Sequence, residues 1–447
     1  MSHKIEQVIK RSGAVVPFNP ERIVNAIYRA LVAIGERDRA LAEEMTEQVV
    51  AILAETLPPG RIPSVEEIQD TVEAVLIENG HVKLAKAYIL YRDERARGRA
   101  EKTTGSHRTS GNIPYRKIWH VLSWAVDHDL NTVDRLNARI ARGELPQIIS
   151  ESDAAYEEDV TAAADLVLER RDDVRVVIIA GPSSSGKTTT TIKLGQKLER
   201  EGLGLVALNV DNYFFDLAMH PRDEYGDYDF ETPQALDLPL INEHVDHLIR
   251  GEEVLTPSYD FKTGTRRLEA TPMRIEPTDI ILIDSLHGLY GPMTEGIPGE
   301  RKCKLYIETL LQMKGPDGKF IRWTDLRLMR RMLRDAVFRS YDPQRTLEHW
   351  HYVRGSELRN IIPYIGTADY IINSALPYEL PIVRPKLIAD FEKWAGQYKG
   401  DPHRHDAFLR AERVHQLLKA VTPALDDSVV PSDSLLREFI GGSRYEY

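Results

Sequence analysis

The stretch from Val174 to Arg200 constrains the fold of this chain more than any other. It opens with the apolar run Val174-Arg-Val-Val-Ile-Ile-Ala180, passes through Gly181-Pro-Ser-Ser-Ser-Gly-Lys-Thr188, and continues with apolar residues at Ile192, Leu194 and Leu198 in helical spacing. The middle part fits the pattern GxxxxGK[ST]. A strand that empties into a glycine loop and then a helix aims several backbone N–H groups and the positive helix end at one point. That point suits a phosphate. Gly181, Ser183, Ser184, Ser185, Gly186, Lys187, Thr188 and Thr189 are therefore candidate contacts for a nucleoside triphosphate such as ATP. Lys187 would reach the outer phosphates, and the Thr188 hydroxyl would take a place on Mg²⁺. A hydroxyl-rich surface turn is the plain alternative, and the strand before and helix after speak against it.

Three segments separate by pattern. Residues 1–98 open with two strand-like pieces, Gln7 to Arg11 and Ala14 to Phe18, around a Ser12-Gly13 turn. Asn19-Pro20 then starts a helix with apolar Ile23, Ala26, Ile27, Ala30 and Leu31, and further helices are expected at Ala40 to Glu55, Ser64 to Glu78 and Leu84 to Arg97. Ser64 with Glu67 is a capping-box signature. Residues 99–113 are polar, hydroxyl-rich and without period, as in a linker. Residues 114–172 are helical in pattern and carry no chemistry that the sequence identifies, so they are taken as a connecting region. From 173 to 447 strands and helices alternate, with strands expected at Val174 to Ala180, Gly204 to Val210, Asp279 to Asp284, Lys302 to Glu308 and Tyr370 to Asn373. Near-continuous apolar strands between helices imply a mostly parallel α/β sheet covered on both faces, with ligands at the carboxyl ends of the strands.

Two acids follow such strands. Asp211, after Leu205-Val-Ala-Leu-Asn-Val210, stands where it can take a proton from an attacking hydroxyl, although a strand-end Asp also caps turns. Asp284 closes Ile280-Ile-Leu-Ile and has the placement of a Mg²⁺-holding acid. Further on, Arg327, Arg331 and Arg334 fall at i, i+4 and i+7, sharing one helix face with Arg330 beside them. A solvated face paired with acids is the ordinary reading of such a run. Guanidinium forks also suit phosphate oxygens, and a helix closing over a triphosphate would use them.

These residues together resemble the uridine kinase and phosphoribulokinase family of P-loop kinases, and most of all its bacterial uridine-kinase-like branch. The likeness runs through the loop 178–189, Asp211-Asn-Tyr-Phe214, Gly226-Asp-Tyr-Asp-Phe-Glu231, Ser258-Tyr-Asp-Phe-Lys-Thr-Gly-Thr-Arg266, Asp284-Ser-Leu-His-Gly-Leu289, the arginine helix, Asn373-Ser-Ala-Leu-Pro-Tyr-Glu379 and Arg437-Glu-Phe-Ile-Gly-Gly-Ser443. The resemblance implies that Asp211 is the base, that Phe230, Glu231, Tyr259, Asp260 and Arg266 frame the acceptor, and that Arg327, Arg330 and Arg334 form a lid. The sequence departs at Gly264, where uridine kinases carry a base-reading His, and at Asp284-Ser285, where Glu-Gly is usual. The front segment is similar to the ATP-cone, a small, mainly helical nucleotide-sensing domain with a short β-hairpin. Its matching residues include Val8-Ile-Lys-Arg-Ser-Gly13, Phe18-Asn-Pro-Glu-Arg-Ile23, Val65-Glu-Glu-Ile-Gln-Asp70 and Ala85-Lys-Ala-Tyr-Ile-Leu-Tyr-Arg92. There the resemblance implies that Lys10, Arg11, Arg22 and Lys86 grip the phosphates of an ATP or dATP effector.

The expectation is an ATP- and Mg²⁺-dependent kinase acting on a hydroxyl of a nucleoside or related sugar, controlled by its front domain and working as a homo-oligomer. The alternative is a nucleotide-sensing regulatory protein whose kinase-like core no longer transfers. A guanine-reading Asn-Lys-x-Asp motif is absent. A net charge of −11 argues against nucleic acid as the main partner. Cys303 is the single cysteine, so no intrachain disulfide is available. Without a signal core or a run of ~18 apolar residues, no membrane role is expected and the cytoplasm is the expected compartment.

Overall fold

The computed structural model describes residues 5–9, 15–33, 36, 38–58, 60–81, 83–86, 88, 112–217, 220, 232–338 and 342–446. The expected phosphate contacts Lys10 and Arg11, and the expected acceptor contacts Phe230 and Glu231, lie outside the described residues. The chain divides into two compact units, 1–110 and 111–447.

In the first unit β1 (Gln7–Ile9) pairs antiparallel with β2 (Val15–Pro17), and the helices α1 (Glu21–Ala33), α2 (Arg39–Thr56) and α3 (Val65–Glu78) follow. Asp38 caps α2 by accepting from Leu41 N–H. At α3 the full capping box forms, Ser64 accepting from Glu67 N–H and the Glu67 carboxylate from Ser64 N–H. The apolar stripes of these helices meet in one core built on Ile27, Leu31, Val49, Val72 and Leu76. Arg22 and Lys86 are exposed on its surface.

The second unit is built on a five-stranded, wholly parallel sheet. Its order is β4 (Gly204–Asn209), β7 (Asp279–Ser285), β3 (Val176–Ala180), β8 (Lys302–Glu308), β9 (Tyr370–Asn373). Central β3 alternates between two cores. Val177 and Ile179 face one, while Val176 and Ile178 face the other. An antiparallel hairpin, β5 (Val254–Asp260) and β6 (Thr265–Met273), stands apart from this sheet.

Helices α4 (Tyr115–Asp127), α5 (Val133–Ala141) and α6 (Leu145–Glu169) belong to the region that the sequence sets apart as a connector, yet α6 is buried in the same core as β3. Its Tyr156 hydroxyl lies 2.7 Å from Thr190 Oγ1, beneath the phosphate loop. Asp159 receives Asn373 N–H at 2.9 Å, tying α6 to the edge strand. An amphipathic pattern tells that a helix packs, but not on which element.

Candidate active site

β3 runs straight into the loop 181–186, and α7 (Lys187–Arg200) leaves it. At Gly181 a Cβ would come within 2.5 Å of the Ile307 carbonyl on β8, so only glycine lets the chain pass the sheet there. Ser184 at φ 60° and Gly186 at φ 91° are both left-handed. For a non-glycine residue that conformation costs on the order of 1–3 kcal/mol, a strain typical of a loop shaped for a ligand. Left-handed residues within a loop are what anion-binding nests of backbone N–H groups are built from. Gly186, as N-cap, brings no side chain to the first N–H groups of α7.

A cleft of 540 Å³ opens at the carboxyl ends of β3, β4 and β7. Ser183, Ser184, Lys187 and Thr188 line it from the loop, Asp211 from the end of β4, and Asp284 from the end of β7. Residues as far apart in the chain as Ser183 and Asp284 thus meet at one place. Asp211 is exposed to the cleft and rides on a short 3₁₀ turn, Val210–Tyr213, whose first N–H groups include its own, bonded to Asn209 Oδ1 at 3.0 Å. Burial, together with the charges of Glu438 and Asp211, pushes the Asp284 carboxyl up to about 6, against the opposing pull of Lys187. Lys187 Nζ donates to the Gly181 carbonyl at 3.0 Å, folding over the loop it serves.

The Thr188 hydroxyl and the Asp284 carboxylate face the same cleft as Asp211. Among the described residues no group of three or more His, Cys, Asp or Glu side chains could enclose a metal. Two hard oxygen donors beside a phosphate site are what Mg²⁺ uses, since it keeps water and takes phosphate oxygens for the rest of its shell. The donor set fits that ion.

The arginines of α9 (Trp323–Phe338) divide differently from the expectation. Arg327 is 1% exposed and ion-paired to Glu308 at 3.0 Å and to Glu357 at 2.5 Å. Burial opposes its charge, but those two carboxylates outweigh it and raise the pKa. Arg330, wholly buried, pairs with Glu379. Neither side chain lines the cleft. Instead they hold the loop from behind: Arg327 donates to the Ser183 carbonyl at 3.1 Å and Arg330 to the Ser185 carbonyl at 3.4 Å. Arg331 and Arg334 are the arginines that line the cleft, next to Ser183 and Lys187. Helical spacing put all four on neighbouring faces, and only packing decides which of those faces points inward.

Two expected phosphate contacts are also turned away. Ser185 and Thr189 have no exposure, and Thr189 gives both N–H and hydroxyl to Glu438, at 3.0 and 2.7 Å. Glu379 and Glu438 stand in blocks that carry the family likeness, but the sequence gives none of the acidic partners Glu308, Glu357, Glu379 and Glu438 a role. Isolated glutamates carry no local signal of a partner tens or hundreds of residues away.

On the acceptor side the Asn212 side chain receives Tyr259 N–H at 3.2 Å, so the β5–β6 hairpin is fastened one residue from Asp211. Tyr259 is buried against Phe214, Phe261 and His220, with ring centroids 5.6, 4.9 and 6.3 Å away. Its hydroxyl is enclosed without a hydrogen-bond partner among the described residues. Asp260 is exposed and caps the hairpin turn by accepting Lys262 N–H at 2.8 Å, which lowers its pKa. Arg266, expected at the acceptor, is tied to Asp237 at 2.9 Å and lies over the Phe215 ring at 5.0 Å. It pins the hairpin to the first turn of α8 (Leu238–Ile249). Gly264 has φ 67°, and a Cβ there would meet Leu217 Cβ at 2.7 Å. No imidazole could grow from that position.

A phosphate loop on a parallel sheet, with two strand-end acids and two arginines around one cleft, defines a P-loop phosphotransferase. The chain belongs to the phosphoribulokinase / uridine kinase family. That family's model matches residues 176–379, and the ATP cone domain model matches residues 6–97. Curated relatives include the uridine kinase of Deinococcus deserti, 30% identical over 198 residues, spanning 44% of this chain and 86% of the relative. Those of Chloroflexus aurantiacus and Bacillus pumilus are 31% and 32% identical, each over 44% of this chain and 85% of its own length. The chain is accordingly a kinase that phosphorylates a hydroxyl acceptor. No described helix is long and apolar enough to cross a membrane.

Proposed function

We propose that the chain transfers the terminal phosphate of ATP to a hydroxyl of a nucleoside, uridine- or cytidine-like, or of a related sugar. The observation that carries this reading is the convergence of Lys187, Thr188, Asp211 and Asp284 on one cleft. Phosphoryl transfer asks for alignment and charge neutralisation more than for covalent help. Asp211 takes the proton of the acceptor hydroxyl as it attacks. Lys187, Arg331 and Arg334 draw charge from the phosphate oxygens. Thr188 and Asp284 would hold Mg²⁺, which would supply further positive charge for that neutralisation. Tyr259 and Asp260, with Phe230 and Glu231, frame the acceptor, and the blocked position at Gly264 means that the base is read differently from the His-bearing relatives. Residues 1–98 bind ATP or dATP as an effector through Lys10, Arg11, Arg22 and Lys86, and regulate transfer in a homo-oligomer.

ADP formation measured with uridine, cytidine, other nucleosides and free pentoses tests the reading. Acceptor-dependent ADP release is expected with at least one pyrimidine nucleoside. ATP turnover indifferent to every hydroxyl compound would reject it.

A further inference from the structure

The first turn of α7 has three N–H groups that the helix cannot satisfy, those of Lys187, Thr188 and Thr189, because the Thr190 N–H already reaches the Gly186 carbonyl at 3.1 Å. One of the three is taken by a protein anion. Glu438 Oε2 accepts Thr189 N–H at 3.0 Å and the Thr189 hydroxyl at 2.7 Å, from the far end of the chain. Glu438 is itself 6% exposed and sits on the short helix α10 (Arg437–Ile440).

That helix is held against the loop by apolar contacts and anchored to the segment that precedes it. Leu435 fills the space beside Gly186, its Cδ1 2.6 Å from where a Cβ would stand. Phe439, with no exposure, lies 4.9 Å under the Arg330 guanidinium, the same group that holds the Ser185 carbonyl. Arg437 donates to the carbonyls of Asp427 and Val430, each at 2.7 Å. The carboxylate therefore belongs to the loop as firmly as the loop's own residues.

A carboxylate here completes the helix end, where a negative charge is favoured. It also takes an N–H that an anion bound at this helix end would otherwise receive. The cleft is open beside Lys187, Thr188, Asp211 and Asp284, where the transferred phosphate must lie, and its lining includes Thr188 and Thr191 but neither Thr189 nor Glu438. A triphosphate that continued from there along the helix turn to Thr189 would meet the Glu438 carboxylate. Two anions in a dry place repel, and the donors they would share are already occupied.

We infer that Glu438 occupies the inner-phosphate position of the phosphate-binding helix, leaving the outer two phosphates gripped and the inner one repelled, so that it sets donor affinity as a positioning residue. The inference rests on ATP being the donor.

Glu438→Gln keeps the shape and an oxygen for Thr189 but removes the charge. Calorimetric titration of the full chain with Mg-ATP and with Mg-pyrophosphate, which has no inner phosphate, reads the consequence. ATP should bind about tenfold tighter in the variant, the scale of one relieved charge contact, while pyrophosphate stays within about twofold. Unchanged or weaker ATP binding, or equal tightening of both ligands, overturns the inference and leaves the donor assignment standing. ATP binding by neither parent nor variant overturns both. Should the amide variant fail to fold, Glu438→Asp withdraws the charge by one methylene. It should shift the ATP-to-pyrophosphate affinity ratio in the same direction, and an unchanged ratio overturns the inference.

Discussion

Arg327 and Glu357 meet as a fork on a fork, Nη1 to Oε1 at 2.5 Å and Nη2 to Oε2 at 2.9 Å, with both side chains withdrawn from water. Removing one member of such a pair strands the other, at a cost of about 3–5 kcal/mol. Arg327→Ala should therefore lower the urea midpoint of the kinase unit sharply, since it strands Glu308 as well. Arg331→Ala and Arg334→Ala, at the cleft, should leave the midpoint nearly unmoved and lower kcat instead. Urea titration of the three variants beside an ADP-release assay checks the division. Loss of stability in all three with no separate loss of turnover would contradict it.

Lys187→Ala should reduce turnover by roughly 10²-fold or more without unfolding, because Lys187 faces the cleft and donates to the loop carbonyl of Gly181. Asp211→Asn should lower kcat by a similar factor of about 10² while ATP still binds. Calorimetry with ATP alongside steady-state kinetics distinguishes them. An Asp211→Asn enzyme with normal kcat and a raised KM for ATP would make Asp211 a donor-side contact.

Restoring a histidine at position 264 should harm rather than help. The left-handed φ of 67° and the 2.7 Å approach to Leu217 leave no room even for a methyl group. Gly264→Ala should cost about 1 kcal/mol or more from the backbone alone and raise the acceptor KM. Gly264→His should do so more severely. A gain in uridine affinity in either variant would show that the hairpin adapts.

Asp153 accepts from the Tyr378 hydroxyl at 2.6 Å and from Ser434 Oγ at 3.3 Å, where burial nevertheless pushes its carboxyl up to about 6. The unfolded chain ionises it near the ordinary ~3.9. Between these values the native state holds the extra proton, so the contribution of Asp153 to stability is full below about pH 4 and is lost as pH rises through 6. Asp153→Asn, whose amide oxygen can still accept both hydroxyls, should be more stable relative to the parent at pH 7 than at pH 4.5. Urea midpoints at both pH values give the comparison, and a difference that does not change with pH would show that Asp153 keeps an ordinary pKa.

Titrating dATP into the full chain should change activity or assembly, and Lys10→Ala with Arg11→Ala should abolish the response while sparing basal turnover. An effector acts only through different affinity for two arrangements, typically ~1–3 kcal/mol of coupling. Activity and light scattering followed together provide the check. Identical dATP responses in parent and double variant would remove Lys10 and Arg11 from the effector site.

What could be read along the chain was whatever is written in consecutive residues. The loop Gly181 to Thr188 announces itself because its glycines, lysine and hydroxyl act on one ligand from one short segment. The strand ends at Asp211 and Asp284 are legible because an acid closing an apolar run must emerge at the edge of a sheet. The Ser64–Glu67 box is legible because both partners lie within one helical turn. Which arginines of α9 meet the ligand was not legible, since a period of 3.6 residues relates the four side chains to each other but not to the sheet. Packing turned Arg327 and Arg330 onto Glu308, Glu357 and Glu379, and left Arg331 and Arg334 to the cleft. The same holds for α6 under the phosphate loop and for Glu438 on Thr189, contacts spanning 34 and 249 residues. Local pattern determines what each segment can do chemically. Only the closing of the core decides which buried charges find partners, because that choice depends on the desolvation of groups that are neighbours in space alone.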